Sequence, residues 1–584
     1  MKIVWIDLNC SYAHSSLALP ALHAQMADET DLEWHRVSAT TAENAGMVVE
    51  ALYRLQPDVV CGTLWLFNHE AMLHLLARLK ALLPQVTVAL GGPEFLGDNE
   101  EFLRVHPYVD VVFRGEGEEA FPQWIHALKS AQMFTQTFVQ TLSRAFAQIQ
   151  GLCYLDGQQV YHDGGKAIVQ HFDRLRAPEE SPFYNWSKPF VQLETTRGCF
   201  NTCAFCVSGG EKPVRSLSME QIAGRLALIS SHGIRDVRML DRTFNYNTRR
   251  ALELFRLFRQ YPHMRFHLEM HPALLTDELK AALADMPKGL LHLEAGIQSL
   301  RQDVLTTARR AGRLEDALSG LQFLCSLHNM ETHADLIAGL PLYRLEDIYA
   351  DIRTLAAYRA GEIQLESLKL LPGTEMRRRA DELGIRFSPL PPYEVLATPA
   401  ISPSGLQTAR LLSRLLDAFY NAPAWQALTR QLILADAGFL PCFLEHLIAL
   451  GVADQPMALE RRGLILYDYC VEHYPQLVTE ATVAWVEAGM SLKKRPAERV
   501  LTKRVVPPVG QWQVVKGAYQ PTYRMAYLPA EPLSRSSYLP AEPLSQSSYL
   551  PAETDNAPTD EGRGIWWGYD AQSQNPIPVL KAIF

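Results

Sequence analysis

The sequence predicts an α/β protein: an N-terminal doubly wound parallel sheet, then a partial (β/α)6 barrel, then a mainly helical C-terminal domain. Three observations carry that reading. Short apolar runs alternate with helical patterns over residues 1–130, a second alternating series fills residues 186–375, and leucine and aromatic positions three and four apart dominate residues 376–500. At 584 residues the chain is too long for one hydrophobic core, which agrees with several domains.

In the first part the run KIVWIDL leads into a helical pattern over residues 17–27. DVVCGTLW follows a helix ending near Gln56, VTVALGG follows one over residues 72–83, and VDVVFRG precedes one over residues 119–128. Strands separated by helices of this length imply βαβ units and parallel pairing. Each run is nearly unbroken in apolar residues, as expected where both sheet faces are covered. Ligands of such sheets bind beyond the carboxyl ends of the strands. There the chain places Thr63, Leu64 and Trp65, the GGPE turn of Gly91, Gly92, Pro93 and Glu94, and the GEGE turn of Gly115, Glu116, Gly117 and Glu118. Glycines at such turns let a ligand approach the backbone closely.

Residues 131–185 read as a connector containing a hairpin at GLCYLDGQQVYHDG. The second series supplies strands over residues 190–194, 236–240, 265–269, 290–294, 332–337 and 363–370, with helices such as 219–231 and 345–357 between them. Six units fall short of the eight that close a barrel, so the barrel is expected to be open. Beyond residue 500 the composition changes. Tyr527, Tyr538 and Tyr549 begin the units YLPAEPLSRSS, YLPAEPLSQSS and YLPAET. An eleven-residue period with two prolines per full unit cannot make a helical repeat, so residues 501–584 read as a low-complexity, disordered spacer. The closing GIWWGYD fits either docking on the body or binding a partner.

Composition is that of an ordinary globular protein, with 48% hydrophobic and 20% charged residues. A net charge of -9 argues against a general nucleic-acid binder. The most apolar stretch, residues 432–452, is broken by Asp436, Glu445 and His446, so no membrane span is expected. The amino terminus carries Asp7 and lacks a small-residue cleavage site, so it reads as a strand and points to a cytoplasmic protein. In that reducing compartment Cys10, Cys61, Cys153, Cys325, Cys442 and Cys470 read as small core hydrophobes.

The other three cysteines stand apart. Cys199, Cys203 and Cys206 follow a predicted strand in LETTRGCFNTCAFC. Soft thiolates suit zinc and iron-sulfur clusters. Structural zinc sites use four protein ligands, and so do ordinary electron-carrying [4Fe-4S] clusters. No second pair is at hand, so three close thiolates point to a cubane with one iron open to an external ligand.

This motif, with the aromatic Phe205 before its last cysteine, resembles that of the radical SAM superfamily. The resemblance implies that the open iron binds the amino and carboxylate groups of S-adenosylmethionine (SAM). It further implies that the reduced cluster cleaves SAM to methionine and a 5'-deoxyadenosyl radical. MLDRTFN at 239–245, LEAGIQS at 293–299, DLIAGLP at 335–341 and LLPGT at 370–374 resemble strand-end motifs of the branch with an N-terminal cobalamin-binding domain. By that resemblance Asp241 lies where the SAM amino group is contacted, although the commoner motif there is Gly-Gly-Glu. Glu294, Gln298 and Ser299 would lie near the ribose, and Ile337, Gly339 and Leu371 around the adenine.

The first part, with its GGPE and GEGE turns, is similar to Rossmann-like cobalamin-binding domains. The resemblance implies that Thr63, Leu64, Gly91, Gly92, Pro93, Glu94, Gly115, Glu116 and Glu118 hold cobalamin. The D-x-H-x-x-G motif that ligates cobalt is missing, and His14 stands at the wrong spacing from Asp7 to replace it. Relatives in this branch bind cobalamin without a protein histidine. The implied activity is C-methylation, or a related radical transformation, of a small molecule or peptide, with flavodoxin or ferredoxin as electron donor and neither membrane nor nucleic acid as partner. Two alternatives are weaker. Methylthiotransferases carry three further cysteines in their first domain, whereas this one holds only Cys10 and Cys61. A non-enzymatic iron-sulfur or cobalamin sensor needs no SAM motifs. His267, His271 and His292 lie on or beside barrel strands; they have the chemistry to donate or accept protons, but without a partner motif they read as hydrogen-bonded core histidines.

Overall fold

The apolar runs of the first part pair as expected, through β1 (Lys2–Asn9), β3 (Val59–Thr63), β4 (Thr87–Gly91) and β5 (Val111–Phe113). The computed structural model describes residues 1–11, 16–132, 145–491, 494, 513–514, 523–529, 564–570 and 580–583. It divides into two compact units, Met1–Arg410 and Leu411–Phe584.

Sequence reasoning missed β2 (Glu33–Thr40), which pairs parallel with β1 at the edge of the sheet. Its residues EWHRVSAT lack an apolar run because only the last two, Ala39 and Thr40, are buried on this edge strand. The hairpin of the connector, β6 (Leu152–Leu155) and β7 (Tyr161–Asp163), also joins this sheet. Both add antiparallel, so the first domain extends beyond residue 130 and its order is β2-β1-β3-β4-β5-β6-β7. The pairing of β5 with β6 covers an edge that would otherwise be open. Alternate residues of each strand feed two cores. Val4, Ile6, Val60 and Val88 pack toward helices Ala45–Leu55 and His69–Leu82, while Ile3, Trp5, Val59 and Val111 pack with Phe121, Trp124 and Ile125 of helix Ala120–Gln132.

The second sheet is the open partial barrel that the sequence predicts. Its strands are β8 (Phe190–Leu193), β11 (Asp236–Met239), β12 (Arg265–Met270), β13 (Leu291–Gln298), β14 (Glu331–Ala338) and β15 (Glu362–Ser367). All pair parallel in the order β15-β14-β13-β12-β11-β8. Two short strands, β9 (Thr196–Arg197) and β10 (Arg215–Ser216), form a hairpin that brackets the cysteine loop, and β16 (Arg386–Phe387) with β17 (Val395–Ala397) forms a second small hairpin. One face of the barrel sheet is apolar, with Phe266, Leu268, Leu293 and Leu336 buried. The other carries a polar row that includes His267, Glu269, His292, Glu294, His333 and Asp335. This row leads to the carboxyl end of the sheet.

The second unit contains helices Gln426–Ala435, Phe439–Ala449, Leu459–His473 and Val478–Glu487. The stretch 432–452 bends by 119° between the first two, and no single helix among the described residues is long and apolar enough to cross a membrane. The disordered-tail expectation is corrected where the tail is described. β18 (Gln513–Val514), β19 (Tyr523–Pro529), β20 (Gly564–Asp570) and β21 (Leu580–Ile583) form an antiparallel sheet in the order β18-β21-β20-β19. Trp567 is fully buried against Leu528 and Val486, and its indole donates to Glu487. Burying a large aromatic with its N–H satisfied offsets the ordering cost of these segments. The closing GIWWGYD therefore docks within its own unit. The repeats beyond Pro529, like His14, lie outside the described residues.

Candidate active site

The cysteine loop leaves β9 and is held by a set of local constraints. Gly198 has φ +90°, and a Cβ there would come within 2.5 Å of the Glu211 carbonyl. The Asn201 side chain accepts from Thr202 N at 2.9 Å and Ala311 N at 3.0 Å, while its carbonyl accepts from Gly210 N at 2.7 Å. Ala204 N donates to Ala308 O at 2.9 Å, and Met376 N donates to Ala204 O at 2.8 Å. Cys199 and Cys203 are buried and Cys206 half-buried, with Phe205 half-buried beside it. Burial pushes the Cys203 and Cys206 thiols up, the neighbouring cysteines push further, and the Arg310 guanidinium opposes this at Cys203. Arg310 reaches Cys203 Sγ at 3.7 Å and also donates to the Gly296 carbonyl, and Thr243 Oγ1 stands 3.8 Å from Cys199 Sγ. The loop thus carries three soft thiols, two of them buried, with a cation beside Cys203, although their side chains are not gathered into a metal-holding group among the described residues.

Of the residues expected around SAM, Asp241, Gln298, Ser299, Ile337, Gly339 and Leu371 lie at or beyond the carboxyl ends of barrel strands, whereas Glu294 lies midway along β13. Their circumstances are unequal. Asp241 is buried with both oxygens occupied, accepting from Thr195 N at 2.8 Å, Thr196 N at 3.0 Å and the Thr195 hydroxyl. It clamps the end of β8 to the end of β11. Ser299 is buried and its hydroxyl turns to Asp351 at 3.4 Å, away from open space. Glu294 faces His267, Oε2 to Nε2 at 2.9 Å, and that bond holds its carboxyl below the ordinary value. Its neighbour Asp335 is pushed up by burial and by the Glu294 charge, and Asp335 Oδ1 is buried without a partner among the described residues. Gln298 sits at φ +73° at a register shift in the pairing of β13 with β14. Ile337 and Leu371 are half-buried, and Gly339 is buried at φ +95° with Leu368 and Val395 about it.

A cavity of about 1000 Å³ opens between the carboxyl ends of the two sheets. Thr63, Gly91, Gly92, Pro93, Gly115, Glu116 and Glu118 line it from the first domain, and Gln192, Glu194, Arg197, Ser208 and Arg242 line it from the second. The stacked rings of Trp65 and Phe67, 6.2 Å apart, add an apolar wall. Two of the expected first-domain residues do not line it. Leu64 is fully buried, and its carbonyl would meet a Cβ on Gly92 at 2.6 Å, which is why that turn requires glycine. Glu94 is buried and accepts from Tyr393 Oη at 2.8 Å. Glu116 and Glu118 line the cavity but are already paired with Arg215 and Arg197, each at 2.6 Å.

Sequence reasoning missed three contributors. Arg310 carried no motif signal. Arg197 stands two residues before Cys199 and was within reach of a reading that weighed the flanks of the motif. Glu269 closes a predicted strand, as Glu294 does, and burial pushes it up to about 7, with Arg242 opposing and Glu294 and Asp241 adding. His271, read from the sequence as a hydrogen-bonded core histidine, is buried as expected, but neither ring nitrogen has a partner among the described residues, and burial beside Arg310 pushes it down to about 3. Among the other histidines, His292 shares a 2.8 Å contact with His333, as expected of paired core groups.

Comparisons with known proteins find relatives for both domains of the first unit. Residues 9–125 match the B12 binding domain family and residues 193–355 match the radical SAM superfamily. An uncharacterized methyltransferase of Pyrococcus horikoshii is 29% identical over 177 residues, covering 29% of this chain and 36% of that protein. The cobalamin-dependent radical SAM methyltransferase TokK of Streptomyces tokunonensis is 22% identical over 350 residues, covering 57% of this chain and 50% of its own. This chain therefore matches about a third to a half of the length of these relatives. The radical SAM methyltransferase TsrM of Kitasatospora setae, solved with cobalamin and a [4Fe-4S] cluster bound, superposes with a TM-score of 0.55 at 15% identity over 69% of this chain and 79% of TsrM, a likeness of fold.

Proposed function

We propose that this chain, which carries a B12-binding domain followed by a radical SAM domain, is a cobalamin-dependent radical SAM methyltransferase acting on a small molecule or peptide. The observation that carries the reading is the cavity of about 1000 Å³ with Gly-rich strand ends of the first domain on one side and the flank of the cysteine loop on the other. Cys199, Cys203 and Cys206 would hold the cluster, and the cavity would take the corrin ring. Bound there, cluster and cobalamin would supply the electron that cleaves SAM and a carrier for its methyl group.

The chain's own residues then have definable tasks. Arg310 places a positive charge beside Cys203, which favours the anionic state of a reduced cluster. Burial of Cys199 and Cys203 keeps water away from a site where a reactive carbon radical would form. Glu294, held by His267, and Glu269 present oxygens suited to hydroxyl or ammonium groups of SAM. Asp241, whose oxygens are committed to Thr195 and Thr196, supports the strand ends that carry these groups. An external donor such as flavodoxin or ferredoxin would deliver the electron.

The test is anaerobic reconstitution with iron, sulfide and hydroxocobalamin. The expected result is close to four irons and one corrinoid per chain, with 5'-deoxyadenosine or S-adenosylhomocysteine formed from SAM. Cys203→Ala is expected to abolish both iron uptake and SAM turnover. A Cys203→Ala protein that kept its cluster and turned over SAM would sink the assignment.

A further inference from the structure

The hairpin that brackets the cysteine loop carries an arginine on each strand, and the two are paired across it, Arg197 with Arg215. Both side chains reach across to the GEGE turn of the first domain. Arg215 Nη1 and Nη2 grip the two Glu116 oxygens at 2.7 and 2.6 Å, and Nη1 also donates to the Val169 carbonyl at 2.6 Å. Arg197 Nη2 donates to Glu118 at 2.6 Å and Nε donates to Glu194 at 2.9 Å. Glu116 is fixed in turn by Val169 N at 2.6 Å, and Glu211, whose carbonyl receives Cys199 N at 3.0 Å, faces Lys166 at 3.5 Å. The four side chains Arg197, Arg215, Glu116 and Glu118 are only 10–15% exposed.

We propose that this network is a latch that fixes the cysteine loop in register with the first-domain strand ends, so that Glu116 and Glu118 serve as positioning residues and not as corrin ligands. Three physical points support it. A buried ion pair adds little net stability, so its value lies in directional geometry, and the twin bonds of Arg215 on Glu116 set both distance and angle. The latch grips both strands flanking the cysteine loop, so the loop cannot tilt without breaking it. It also lies on the wall of the cavity, where a shift of about 1 Å between reacting groups is costly. What the latch holds in register rests on the functional reading above; that it exists does not.

Glu116→Gln keeps the shape of the side chain and removes its charge, and Arg215→Lys keeps the charge but cannot grip two oxygens. Hydrogen exchange on the cluster-free chain is expected to quicken about tenfold or more in residues 198–211 for each variant. The double variant is expected to be no faster than either single one, because both break the same contact. In the reconstituted protein the variants should retain corrinoid affinity, broaden the magnetic interaction between cob(II)alamin and the reduced cluster, and cleave more SAM per methyl transferred. Unchanged exchange in the loop, or a loss of corrinoid affinity with the loop unaffected, would overturn the latch. Should Glu116→Gln fail to fold, Arg215→Lys decides by the same readings. If the wild-type chain takes up no corrinoid, the functional reading fails while the exchange result still judges the latch.

Discussion

The Glu269 carboxyl makes no hydrogen bond or ion pair among the described residues, yet it stands near Arg242, Glu294 and Asp241 at the mouth of the barrel. Its carboxyl, pushed up to about 7 from an ordinary 4.5 chiefly by burial, keeps its proton in the folded chain where the unfolded chain has lost it. The folded state therefore binds more protons between about pH 4.5 and 7, and stability falls as pH rises through that window and stays low above it. Glu269→Gln in the cluster-free chain is expected to be the more stable form at pH 7.5 by roughly 1–3 kcal/mol, with little difference at pH 4.5. Denaturant unfolding at the two pH values measures this, and an advantage that did not depend on pH would refute it. The cysteines were legible because three thiols so close together are rare in a chain of this composition. Arg310 was not, because its importance comes from a chain reversal after β13 that brings it beside Cys203. Asp241 was legible by position only. Its commitment to Thr195 and Thr196 depends on how closely β8 and β11 pair.

At the scale of elements, the cysteine loop depends on glycine for close approach. A Cβ on Gly209 would lie 2.4 Å from the Cys203 carbonyl and 3.0 Å from that of Cys206. Both contacts are with backbone, which cannot swing aside as a side chain would. Gly209→Ala is therefore expected to shift the loop at a cost of about 1–3 kcal/mol and to cut iron uptake on reconstitution several-fold, leaving the far-ultraviolet circular dichroism unchanged. Iron and sulfide analysis checks this, and full cluster content in the variant would show that the loop relaxes freely. The barrel strands were readable because parallel strands covered on their outer face carry regular apolar positions. β2 was not, since an edge strand half open to water carries no such run, and the tail was misread where it is described. Prolines and repeats dominated its composition, while the burial of Trp567 on Val486 and Leu528 depends on contacts between segments far apart in the sequence of the second unit.

At the scale of the first unit, the cavity belongs to neither domain alone, and no local pattern encodes it. It exists because separate contacts draw the two sheets' carboxyl ends together. Gly373, at φ +80°, packs so closely that a Cβ would lie 2.6 Å from the Leu96 carbonyl, Tyr393 donates to Glu94, and Arg215 grips Glu116. A ligand that fills this space must favour the folded chain by mass action. Hydroxocobalamin at about one hundred times its dissociation constant is expected to stabilise the cluster-free chain by about 2.7 kcal/mol, seen as a rise of a few degrees in Tm. Trp65→Ala separates cavity binding from a surface effect. Trp65 is partly exposed, so its loss should cost the free chain little, yet it removes half of the stacked aromatic wall. The variant is expected to keep its own Tm near that of the parent while needing several-fold more cobalamin for the same rise. A parent Tm that does not respond to cobalamin would leave the cavity without its proposed occupant, and an unaltered response in Trp65→Ala would place the corrin away from that wall.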